Sequence, residues 1–78
     1  MLTVEVRDSQ LLKSGQGEVE IFCDEEGIAE LSKALGFLQK GASHCHLMTP
    51  AWAGTELDET VQRVGNVLIH HLRISRVV

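Results

Sequence analysis

Within the first forty residues the apolar spacing switches from every second position to every third or fourth, and that switch fixes most of the architecture. Leu2, Val4 and Val6 alternate with Thr3, Glu5 and Arg7, the pattern of a strand with one face buried. Glu18 to Cys23 alternates again, with Val19, Ile21 and Cys23 on one side and Glu18, Glu20 and Phe22 on the other. Between them, Asp8, Ser9, Ser14, Gly15 and Gly17 are turn formers, so Asp8 to Gly17 is expected to be a connecting loop with Leu11 and Leu12 turned inward. The two strands are expected to form a hairpin. Asp24 then offers a side-chain acceptor to the first free amides of a helix, and Glu25 and Glu26 sit where the helix dipole favours anions. Ile28, Leu31, Ala34, Leu35 and Leu38 fall on one helical stripe, and Gly41 closes the segment. Gly27 and Gly36 are its weak points, each costing about 0.5–1 kcal/mol relative to alanine.

From Gly41 to Thr55 no side chain is charged apart from the titratable His44 and His46, and the segment holds Trp52 and the sole proline, Pro50. Ala42 to Met48 is expected to be the third strand, stopped by Pro50, with His44, His46 and Met48 on one face and Ser43, Cys45 and Leu47 on the other. Glu56 to Val64 is polar and is expected to be a loop. Gly65 to Ile74 makes the last strand, in which Val67 and Ile69 favour one face and Leu72 and Ile74 the other. The alternation slips at His70 and His71, which predicts a bulge there or a strand covered on both sides. The order β-β-α-β-β predicts an α+β fold, a mainly antiparallel four-stranded sheet with one amphipathic helix packed on one face. A chain of 78 residues has room for one core, so residues 1–78 are expected to form a single domain.

Charge narrows the function. Seven basic against eleven acidic side chains leave a net charge of −4, the wrong sign for holding a phosphate backbone, so no nucleic-acid partner is expected. No run approaches the length of a membrane span and the first residues do not resemble a signal peptide, so a cytoplasmic protein with no membrane partner is expected. Cys23 and Cys45 are too few for a disulfide scaffold and are expected to be reduced, small buried side chains. Cys45 lies between His44 and His46, yet neighbours on a strand point to opposite faces, which makes a Cys-His dyad geometrically poor. No phosphate-binding glycine loop is present either, so neither catalysis nor a cofactor is expected. His44, His46, His70 and His71 form the alternative. Histidines two apart share a strand face, and one of His70 or His71 would join them if the third and last strands pair, giving a metal-binding protein or metal-dependent enzyme.

Glu18, Glu20, Asp24, Glu25, Glu26 and Glu30 put six acids in thirteen residues with no base among them. Most such runs are solvated faces, but this one also suits electrostatic steering of a basic protein partner. Trp52, set in a neutral loop near His46, has the amphipathic bulk favoured at interfaces and at the heart of cores alike. Glu18, Glu20, Glu25, Glu26, Glu30, His46 and Trp52 are therefore the expected partner-binding residues. Because the last strand offers apolar side chains in both directions, a homodimer is also expected.

One stretch is more specific. His44-Cys45-His46-Leu47-Met48-Thr49-Pro50-Ala51-Trp52-Ala53-Gly54, followed by Glu56-Leu57 and later His70-His71-Leu72-Arg73-Ile74, resembles the immunity protein 32 family of bacterial polymorphic toxin systems. The resemblance extends to Ile21–Leu31 with its acidic helix start and so takes in most of the chain. The family pattern has Gly-Gly after the tryptophan, where this sequence has Ala53-Gly54. The resemblance implies a small non-enzymatic protein that neutralises a cognate toxin, and it names neither the toxin nor any catalytic residue.

Overall fold

The computed structural model describes residues 1–77. Strands β1 (Leu2–Arg7) and β2 (Glu18–Cys23) pair antiparallel as expected, with Leu2 opposite Cys23, Val4 opposite Ile21 and Val6 opposite Val19. These six share one face, and Thr3, Glu5, Glu20 and Phe22 share the other. The connection is a 3-10 helix, Ser9–Ser14, entered through Asp8 in the left-handed region (φ 54°) and left through Gly15 (φ 77°). Leu11 and Leu12 are exposed on it, contrary to the inward packing expected of them. β2 forms one margin of the sheet, so Val19, Ile21 and Cys23 have no neighbour on their outer side and are exposed rather than buried.

Helix α1 spans Glu25–Gln39, and Asp24 caps it by accepting a hydrogen bond from Gly27 N at 2.9 Å. Glu25 and Glu26 occupy the first turn, and Gly41 leaves the helix with φ 108°. The inward stripe is rotated from the expected one. Gly27, Ala34 and Leu38 are buried, whereas Ile28 and Leu35 lie on an exposed flank. Gly27 is the reason: a Cβ there would collide with the Met1 carbonyl, so the helix turns its smallest residue toward β1 and approaches closely. A position that looks costly for helix propensity is thus required by packing. Ala34 joins Leu2, Val4, Leu47 and Leu57 in the core, with Cys45, Ile69, Leu72 and Ile74 packed around them. Each leucine fully buried there contributes about 1.5–3 kcal/mol.

The last three strands are β3 (His44–Met48), β4 (Val67–Ile69) and β5 (His71–Ser75). In place of one four-stranded sheet there are two, β2-β1-β4 and β3-β5, all pairs antiparallel. The α+β class and the single packed helix hold; the division comes from His70. There the chain leaves the β1 ladder, the His70 carbonyl accepts from Thr49 N at 3.0 Å, and the following residues pair with β3. The slip in alternation at His70 and His71 marks this break. Residues 56–58 bridge the two sheets, because Leu57 N donates to Met48 O and Asp58 N to Leu2 O. Asp58 Oδ2 also accepts from Leu2 N at 2.8 Å, so Asp58 engages both main-chain groups of Leu2, one through its amide and one through its side chain.

The sheet face away from the helix is closed by the chain's own loop. Glu5 is 0% exposed on that face. Its carboxylate accepts from Thr3 Oγ1 (2.6 Å), Gln62 N (3.0 Å), Arg63 N (3.3 Å) and Asn66 Nδ2 (3.0 Å). Asn66 also reaches Glu20, and Arg63 forms an ion pair with Glu20 at 3.2 Å. Burial by itself raises the Glu5 pKa, but these donors together outweigh it and hold the carboxyl below its ordinary value of 4.5. The folded state therefore binds this proton less readily than the unfolded chain does. The stability contributed is complete above pH 4.5 and is lost as pH falls through the lower folded value. Glu5→Gln, which sets amide hydrogens against these donors, is expected to cost about 1–3 kcal/mol at neutral pH and to flatten the acid limb of stability against pH. Thermal unfolding of both proteins from neutral to acid pH checks this, and identical acid limbs would contradict it.

Candidate functional site

β3 and β5 set out a histidine-rich face. His44, His46 and Met48 alternate with Cys45 and Leu47, and the pairing of Met48 with His71 and His46 with Arg73 brings both onto the same side. Cys45 and Leu47 face the core, which separates the Cys45 thiol from both neighbouring imidazoles. Cys45 is half-buried and Cys23 exposed, so neither is the fully buried side chain expected of it; both are free thiols. His46 Nδ1 and His71 Nε2 lie 2.6 Å apart, a contact in which one ring donates and the other must be an unprotonated acceptor. His44 stacks edge-on against His46 at 4.9 Å between ring centres, and Trp52 lies 5.6 Å from His71. Burial first, then the proximity of His44, His71 and Arg73, holds His46 below the ordinary histidine pKa. His70 stands apart, with Nδ1 at 2.7 Å from Thr49 Oγ1.

The neutral segment borders this face. Thr49 is buried, and Pro50–Trp52 forms a 3-10 turn that presents Trp52 half-exposed beside His71. Ala53 leaves the turn in the left-handed region (φ 64°), and a Cβ on Gly54 would collide with the Met48 carbonyl. Both positions thus have backbone requirements that glycine meets best.

The acidic residues divide. Glu18 and Glu20 lie on the sheet face opposite the helix, and Glu20 is tied to Arg63 and Asn66. Glu25 and Glu26 are exposed at the helix start and Glu30 is half-buried one turn on. The strand pair and the helix acids therefore do not merge into one patch. Instead, Glu26 and Glu30 line a cleft of about 200 Å³ together with Glu56 and Asp58, two residues that the sequence reading left in a plain polar loop. Glu56 accepts from Met48 N at 3.0 Å and from the Thr55 amide and hydroxyl. Burial raises its pKa, but these bonds outweigh it and keep the carboxyl below its ordinary value, charged at neutral pH. Glu30 and Glu56 also border an adjoining cavity of about 250 Å³ floored by Ala34, Leu47 and Phe37 and reaching His46. None of these four carboxylates is in an ion pair among the described residues, unlike Glu20 and Asp24.

No protein-family model matches the chain, and no curated protein and no solved structure matches it. No helix among the described residues is long and apolar enough to cross a membrane. Among the same residues, no group of three or more His, Cys, Asp or Glu side chains is placed to hold a metal ion. His46 and His71 direct a nitrogen each at one another, and His44 Nδ1 is 2.8 Å from Ser43 Oγ. Dialysis of untagged protein against zinc, nickel or copper, followed by removal of free metal, is expected to leave far less than one equivalent bound. One equivalent retained through His44, His46 and His71 would contradict this arrangement.

Proposed function

We propose that this chain is a small non-enzymatic binding module of the immunity type, acting in the cytoplasm to neutralise a cognate toxin by engaging a basic surface on it. The observation that carries the proposal is the cleft lined by Glu26, Glu30, Glu56 and Asp58 without any lysine or arginine. The Met1 amino group, which is bonded to Asp24, also lines the cleft, so four carboxylates face one ammonium. The local excess of negative charge attracts and orients a positively charged protein surface. The cleft volume suits the end of an arginine or lysine side chain. Trp52 and His46, on the neighbouring face, add an aromatic anchor of the kind enriched in binding hot spots. The resemblance to the immunity protein 32 family supports the same function, and the left-handed Ala53 gives the Trp52 turn a backbone bend suited to the family's Gly-Gly.

A toxin encoded beside the gene supplies the test. Co-expression with this chain should restore growth, and the two proteins should elute together. Replacing Glu26 and Glu30 with glutamine should leave folding nearly intact, since Glu26 is exposed, Glu30 is only half-buried, and neither is in an ion pair among the described residues. The same change should slow association about tenfold at low salt and weaken its dependence on salt. Absence of protection by the unmodified chain contradicts the immunity function, and unchanged association rates move the interface away from the cleft.

A further inference from the structure

We propose that β2 is the two-fold interface of a homodimer, formed by antiparallel pairing of two copies about Ile21. Main-chain hydrogen bonds alternate sides along an antiparallel strand. Asp24 N donates to Met1 O, so by alternation Phe22, Glu20 and Glu18 direct their amides and carbonyls toward β1. The amides and carbonyls of Val19, Ile21 and Cys23 therefore point away from the sheet, where β2 has no partner strand among the described residues. The corresponding edge of β3 is partly closed, because Met48 N donates to Glu56 and Met48 O accepts from Leu57 N. Among the described residues β2 holds no proline, no lysine and no bulge, and its only charges are Glu18 and Glu20. Its side chains add to the exposure, Val19 at 60% and Ile21 at 43%.

A second copy of this chain satisfies the outward backbone groups of β2 by symmetry, and one register does so best. With Ile21 opposite Ile21 of the second copy, Val19 meets Cys23 and every outward backbone group of the strand finds a partner. Glu20 then faces Phe22 of the second copy, and its own carboxylate is already balanced by Arg63 at 3.2 Å. Glu18 faces Asp24 of the second copy, and the Asp24 carboxylate accepts from the Met1 amino group and Gly27 N. A two-fold shifted to Glu20 would set two Glu20 carboxylates directly opposite each other. A shift to Phe22 would run Val19 against Glu25, inside the helix. The Ile21 register joins the two three-stranded sheets into one of six strands and closes the open edge by symmetry. None of the residues lining the acidic cleft belongs to β2, so each copy keeps its cleft.

Light scattering at micromolar concentration should give twice the chain mass. Ile21→Lys, at an exposed position, should halve that mass while the circular dichroism spectrum stays unchanged. Val19→Cys should form a covalent dimer on mild oxidation, because its thiol would face Cys23 of the second copy, and adding Cys23→Ser should abolish the cross-link. The unmodified chain should not cross-link, since this register holds its two Cys23 residues apart. A monomer at every concentration overturns the proposal. So does a dimer that survives Ile21→Lys while Val19→Cys fails to cross-link.

Discussion

A single buried carboxylate organises the side of this protein that the helix does not cover. A one-helix α+β chain of this length faces a basic shortage: one helix shields one sheet face, and the other must be solvated or covered. Glu5 resolves it by binding the loop. Its oxygens gather a hydroxyl, two backbone amides and a side-chain amide, three of the four from residues 62–66. An unpaired carboxylate buried this deeply would be strongly unfavourable, whereas one with this many donors is held in its charged form. The loop accordingly packs onto the sheet, and the face is closed without a second helix.

That closure also places the candidate site. Residues 56–58 run between the sheets because Leu57 is buried in the core and Asp58 pairs with Leu2, while the far end of the same loop is held on Glu5. Glu56 and Asp58 consequently stand beside the first two turns of α1, opposite Glu26 and Glu30. The negative cleft is thus a product of packing between an N-terminal strand, a helix and a loop more than fifty residues downstream. Like charges are tolerated there because backbone amides donate to Glu56 and Asp58 and the Met1 ammonium stands beside Asp58 and Glu26.

Local chemistry was legible in the sequence and distant chemistry was not. Asp24 followed by Glu25 and Glu26 signalled the helix start, since capping depends on residues within one turn. The slip at His70 and His71 signalled the break that became β4 and β5, since alternation is also local. Glu5, by contrast, looked like the solvent side of an ordinary amphipathic strand, because its donors lie at 62, 63 and 66 and nothing near it in sequence announces them. Val19 and Ile21 looked like core for the matching reason: alternation gives the face of a strand but not its place in the sheet, and β2 lies at an edge. Glu56 and Asp58 were hidden in a polar loop, where Leu57, alone between acids, was the one signal that the segment is anchored. The division of the acidic run into two faces followed from where the helix crosses the sheet, which no local pattern encodes.

Amide hydrogen exchange at Gln62 and Arg63 tests the central role of Glu5 most directly. Both amides lie in a segment with no regular secondary structure, where exchange is ordinarily fast. If they donate to a buried carboxylate, they should exchange as slowly as the β1 amides paired with β2, and Glu5→Gln should selectively speed them. Exchange of Gln62 and Arg63 at the rate of a free loop in the unmodified protein would show that the second sheet face is open and that the account is wrong.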